Sequence, residues 1–190
     1  MLDTAAWVAA VIYATVPSYW LMVHTRARRW ADQGGRSLLK IGPLWLLLWV
    51  LVAAITWRWR LIPLYHRHWS WILGAVLIVS GLVIYGLGRK QFSFDQVLGR
   101  PELEPDKHEQ KLRTSGIRAH IRHPYYLGHL CELAGWTVGS GLVALYAMTL
   151  FAILTGYFMI RSEERELQAR FGDEYRRYSQ RSAAMFPGIW

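Results

Sequence analysis

The chain has 190 residues, 53% of them hydrophobic, with 11 tryptophans and a formal net charge of +9. So apolar a composition excludes an ordinary water-soluble globule and points to a single membrane domain spanning 1–190. The positive charge comes without a recognised nucleic-acid-binding module, and the single cysteine, Cys131, excludes an intrachain disulfide.

A membrane-crossing helix needs about 20 mostly apolar residues. The first such block, 5–23, has no basic run ahead of it and is expected to be a retained span rather than a cleaved signal. Pro17 lies late in it and predicts a kink. A basic loop at 24–40 leads to a second span, 41–57, and a short loop, 58–68, leads to a third, 69–87. The stretch 88–122 is the longest polar one, and Pro101 and Pro105 mark a loop within it, because each disfavours helix in the residue before it. The apolar run 125–160 is about twice the length of one span. Gly139-Ser140-Gly141 near its middle predicts a tight turn between two helices, 125–139 and 142–160. The tail, 161–190, reads as an amphipathic helix with Leu167, Phe171, Tyr175 and Tyr178 on one face, interrupted by Gly172. The expected fold is all-α: an integral membrane protein of about five transmembrane helices, with a C-terminal helical hairpin and a cytoplasmic amphipathic helix.

Lysine and arginine set the expected orientation. Five lie in 24–40, eight in 88–123 and six in the tail, against three in 58–68. The basic side is cytoplasmic by the positive-inside rule, which predicts an outside N-terminus and an inside C-terminus. Trp57, Trp59, Trp69 and Trp71 bracket the outer loop as an aromatic belt does. Topology and attraction to anionic lipid account for the net charge.

Polar residues gather at both ends of the apolar hairpin. Gly116 is followed by Arg122-His123-Pro124 and Tyr126-Leu127-Gly128. Beyond Ile160 come Glu163-Glu164, then Phe171-Gly172-Asp173-Glu174-Tyr175 and Phe186-Pro187. Such groups are costly beside a bilayer and mark a candidate site at the membrane face. Pro124 suits the first turn of a helix, which places His123 at the helix mouth, near the positive end of its dipole. Adjacent carboxylates repel one another, so Glu163 and Glu164 call for a cationic partner or belong to a solvated surface helix with a Glu166–Arg170 pair. His129 and Glu132, three apart inside the fourth span, either serve the chemistry or join helices by a neutral hydrogen bond.

The order G-x5-R-H-P-x-Y-x-G, apolar hairpin, E-E, F-G-x-E-Y-x-x-Y, over residues 116–187, resembles the isoprenylcysteine carboxyl methyltransferases. These are integral membrane enzymes that use S-adenosylmethionine and are related to membrane phospholipid N-methyltransferases. The upstream part resembles them only in being hydrophobic spans. The resemblance implies an S-adenosylmethionine site at the cytoplasmic ends of the last two spans. His123, Pro124, Tyr125 and Tyr126 would contact the cofactor, with Arg122 beside them. Glu163 or Glu164, the first for preference, would take its ammonium group. Two positions depart from the family's pattern: Arg118 stands where a tyrosine is common, and Met159 where a substrate-binding arginine is common. Arg118 and Arg161 are the nearby replacements, and Arg161 joins His129 and Glu132 as a candidate for the transfer step. Gly86–Gly88 and Gly139–Gly141 have no strand beside them, so a soluble dinucleotide-type site is not expected.

The expected activity is methyl transfer to a lipophilic small molecule or lipid reached from the membrane. No metal and no nucleic-acid partner is expected, and the oligomeric state is left open. A carboxylate acceptor needs no base, whereas an amine, phenol or thiol must lose a proton, a task for His129 or Glu132. The alternatives are an NADPH-dependent reductase of the sterol-reductase type and a small membrane scaffold.

Overall fold

The computed structural model describes residues 2–25, 34–89, 103, 104, 107 and 111–186. Arg26, Arg28, Arg29, most of the proline-marked loop at 101–106, and Pro187 lie outside them. Helix α1 spans Leu2–Thr25, α2 Leu38–Thr56, α3 Ser70–Arg89, α4 Pro124–Ser140, α5 Val143–Phe171 and α6 Asp173–Ser179. Among the described residues there is no β-strand, only the isolated bridges Pro63–Leu142 and Ile121–Ala183. The fold is all-α, as expected from the sequence.

Among the described residues, four helices are long and apolar enough to cross a membrane: Leu2–Thr25, Leu39–Trp59, Ser70–Gly88 and Val143–Phe171. The remaining predicted span, the fourth at 125–139, corresponds to α4, which has 17 residues and buries His129 and Glu132. Its flanks join both ends of the bundle. At one end the 62–65 loop is tied to the turn after α4: the Leu64 amide donates to the Gly141 carbonyl at 2.7 Å, the Val143 amide to Ile62 at 3.0 Å, and the Tyr65 hydroxyl to Val138 at 2.7 Å. Gly141 caps α4 with φ 67°, a left-handed conformation that glycine adopts without strain. At the other end α4 follows the Gly116–Ala119 segment, and the Arg122 and His123 amides bond to the tail. Helix α1 runs unbroken through Pro17. Helix α5 likewise continues past 160 without a boundary. Its 29 residues rise about 43 Å against a hydrocarbon core of about 30 Å, so its polar C-terminal part projects beyond the membrane.

Small residues set how closely the helices approach. Ala6, Ala10 and Ala14 of α1 meet Ala144, Met148 and Ala152 of α5 in one buried cluster. Helices α3 and α4 make the most extensive contact, through glycines seven apart, which share a helix face. A Cβ on Gly81 would lie 2.6 Å from the Gly128 carbonyl oxygen, and one on Gly135 would lie 2.6 Å from that of Gly74. Only glycine permits this backbone approach, the usual device where helices meet in lipid. Helix α2 hangs on α1 by two indoles: Trp45 Nε1 donates to the Thr15 carbonyl at 3.1 Å, and Trp7 Nε1 to Thr56 Oγ1 at 2.9 Å. Its outer face, with Leu47, Val50 and Ile55 exposed, is suited to lipid.

Candidate active site

Gly116, with φ 59°, turns the chain into a short 3-10 segment, Gly116–Ala119, that leads to the mouth of α4. His123 is the N-cap of α4, and Pro124 opens its first turn. The tail fastens this segment from outside. The Arg122 amide donates to the Ala183 carbonyl at 2.8 Å, the His123 amide to Ala184 at 3.0 Å, and the Tyr178 hydroxyl to Arg118 at 2.8 Å.

Four charged side chains lock together here. Arg122 Nε and Nη2 each lie 2.8 Å from Glu164 Oε1. Arg122 Nη1 also donates to the Ser179 carbonyl at 3.0 Å and to that of Ser182. The His123 ring bridges the two glutamates, Nδ1 at 3.1 Å from Glu163 Oε2 and Nε2 at 3.4 Å from Glu164 Oε1. Burial by itself pushes the His123 imidazole down, but the two carboxylates outweigh it and hold it up at about 9. Burial likewise pushes Glu163 up, but His123, His24 and Arg118 outweigh it and hold it at about 2. Glu164 is shifted down in the same way by His123 and Arg122.

These shifts make stability depend on pH. The imidazole's raised value contributes stability that is complete below its ordinary 6.5 and lost as pH climbs through 9. The lowered value of Glu163 contributes stability that is complete above 4.5 and lost as pH falls through 2. Thermal unfolding followed by tryptophan fluorescence should therefore peak between about pH 4.5 and 6.5 and decline towards pH 9. His123→Gln should flatten the alkaline decline; an unchanged decline would place its origin elsewhere.

The network borders a cavity of about 220 Å³. Arg118, Arg122, His123, Glu163 and His24 bring charge to its wall; Trp20, Tyr85, Tyr125 and Tyr126 bring aromatic faces. His129, Pro124, Met159 and Pro17 also line it. Of the sequence candidates, Arg122, His123, Pro124, Tyr125, Tyr126, Glu163 and His129 thus share one cavity. Glu164 stands behind the wall as the partner of Arg122. Glu132 and Arg161 are not part of the wall. Glu132 accepts from the Tyr13 hydroxyl, and Arg161 is exposed, its guanidinium 6.0 Å from the Tyr157 ring centroid. Arg118 does line the cavity, at the position where the sequence departs from the family pattern.

Sequence reasoning missed Tyr13, Trp20, His24 and Tyr85. His24 pairs with Glu166 at 2.7 Å and stacks on Trp20, their ring centroids 5.6 Å apart. Its place in the last turn of a span, four residues after an indole, was the one local signal.

The family model for phospholipid methyltransferases matches residues 69–174, more than half of the 190-residue chain. The protein belongs to the phospholipid methyltransferase family, and it is an integral membrane protein. It is 23% identical over 185 residues to methanethiol S-methyltransferase 1 of Bradyrhizobium diazoefficiens, covering 88% of this chain and 61% of that protein. With methanethiol S-methyltransferase of Mycobacterium tuberculosis it shares 26% identity over 171 residues, 75% of this chain and 61% of that one. An uncharacterized protein of Haemophilus influenzae is 40% identical over 57 residues, 30% of this chain and 90% of its own length. The chain thus spans about three-fifths of the length of the two methyltransferases. No solved structure matches.

Proposed function

We propose that the protein is an S-adenosylmethionine-dependent methyltransferase acting on an apolar acceptor that reaches the cavity from the membrane. The observation that carries this reading is the joining of a two-signed charged mouth to an aromatic interior in one cavity. S-adenosylmethionine has an ammonium, a carboxylate and a sulfonium. Glu163 suits the first and Arg118 the second, while the faces of Trp20, Tyr85 and Tyr125 suit the third by cation–π attraction. Bound there, the cofactor supplies an electrophilic methyl group. The chain's own part is to orient the reactants and exclude water, which can provide much of the acceleration.

Met159 occupies the cavity wall where the resembling family has an arginine, which removes the natural bidentate partner of a substrate carboxylate. The relatives' names point the same way, to an acceptor with a thiol. An alkyl thiol is therefore the acceptor we favour over a prenylcysteine or a phospholipid. The basic bias supports five crossings with the mouth on the cytoplasmic side, and a C-terminal reporter active only outside would overturn that orientation.

Calorimetry in detergent tests the cofactor. The wild type should bind S-adenosylmethionine and not NADPH. His123→Ala and Glu163→Ala should each weaken binding about tenfold to over a hundredfold, the worth of a charge-assisted hydrogen bond. Unchanged affinity in both variants, or binding of NADPH alone, would sink the reading. Methyl-transfer assays on an alkyl thiol, a farnesylcysteine analogue and phospholipid, run side by side, test the acceptor.

A further inference from the structure

We infer that His129 is the proton acceptor for an un-ionised thiol and that Nδ1 is the atom that receives the proton; this rests on the methyltransferase reading above. His129 is 5% exposed and lines the cavity. Its Nε2 lies 2.6 Å from the backbone carbonyl oxygen of Tyr13. A carbonyl oxygen only accepts, so Nε2 carries the hydrogen. In the neutral ring the other nitrogen, Nδ1, then keeps its lone pair.

The ring is held in this orientation from two sides. The Tyr13 ring stacks on it at 4.9 Å with 10° between the planes, and the Tyr126 ring lies 6.4 Å away at 20°. Tyr13 is held in turn, because its hydroxyl donates to Glu132 Oε2. Among the described residues the hydrogen-bond partner of Nδ1 is the Tyr85 hydroxyl at 3.4 Å, a long contact that an incoming S–H can replace. The structure therefore gives His129 and Glu132 different parts. His129 faces the cavity, and Glu132 is a positioning residue that acts through Tyr13.

A base of this kind selects the acceptor. A carboxylate has no proton to give. A thiol titrates at about 8.5, whereas phenols and alkylammonium groups lie at about 10 or higher. The smallest uphill transfer is from sulfur. In the step, the S–H proton moves to Nδ1 and the sulfur's electron pair forms the new S–CH3 bond. The C–S bond of the sulfonium donor breaks onto its own sulfur, leaving two neutral thioethers and an imidazolium that returns its proton to water at the cavity mouth.

The first test needs no cofactor. Nitrogen-15 NMR of the histidine-labelled protein should show His129 protonated at Nε2 and bare at Nδ1; the opposite tautomer overturns the proposal. The second uses His129→Gln, whose amide nitrogen can still reach the Tyr13 carbonyl but has no lone pair to offer. Calorimetric affinity for S-adenosylmethionine should be unchanged. Turnover of an alkyl thiol at pH 7 should fall roughly 10²- to 10⁴-fold, the usual worth of a general base. That deficit should shrink about tenfold per pH unit as the thiol ionises by itself, and it should nearly vanish for an aryl thiol that is already a thiolate at pH 7. Equal losses for the two thiols, with cofactor binding intact, overturn this proposal alone. A wild type that binds no S-adenosylmethionine overturns the cofactor reading and this proposal with it.

Discussion

Replacing Gly156 by alanine is expected to evict Tyr126 from its seat and lower the melting temperature by about 4–16 °C. A methyl group there would fall within bonding distance of the Tyr126 hydroxyl and ring. The glycine lets that phenol pass across α5 and donate to the Ala152 carbonyl at 2.6 Å. Forced overpacking costs about 1–3 kcal/mol, and the lost hydrogen bond about 1 more. For a chain of this size each kcal/mol is worth about 2–4 °C. Since Tyr126 is also a wall of the cavity, ligand affinity should fall together with stability. Tyr126→Ala supplies the control: once the ring is gone, adding Gly156→Ala should cost little more, because both act on one contact. Fully additive losses would mean that the contact does not exist in solution.

Glu164→Ala should be as damaging by a different route. Arg122 is 7% exposed, and Glu164 is its carboxylate partner. Removing one member of a buried pair leaves an uncompensated charge and costs about 3–5 kcal/mol. Arg122 also holds the Ser179 and Ser182 carbonyls, so the tail should loosen with it. Limited proteolysis should then cut between 173 and 186 in the variant at protease concentrations that spare the wild type. Glu164→Gln, which keeps an acceptor for Arg122, should be intermediate. A tail equally protected in all three proteins would show that the network does not hold it.

The all-α membrane architecture was legible because long apolar blocks have one stable solution in lipid, and Gly139–Gly141 marked the hairpin turn. Residues 122–126 and 163–164 were legible as candidates because charge at the ends of apolar helices is expensive and because their order resembles a known methyltransferase family. What those residues face was not legible. Glu163 lines the cavity while Glu164 stands behind it, a distinction set by the rotation of α5 against α4. Arg118 and Arg161 were both offered by the sequence as replacements, and only Arg161 as a candidate for the transfer step. Only the turn at Gly116 and the phase of α5 bring the first to the cavity and leave the second exposed. Tyr13 and Tyr85 carry no local signal, because their meaning comes from α1 and α3 crossing α4 at the level of His129.

The way the tail fastens Arg122 and His123 also fixes an order of manufacture. The carbonyls that receive Arg122 Nη1 belong to residues made 57 and 60 positions later. A nascent chain halted at residue 177 has all its apolar helices, yet the loop before α4 lacks every bond it takes from Tyr178, Ser179 and residues 182–184. Quality control that senses only membrane insertion would pass such a chain, although the wall of its cavity is unfinished. The pocket is therefore a late product of synthesis, completed after the last crossing has been made.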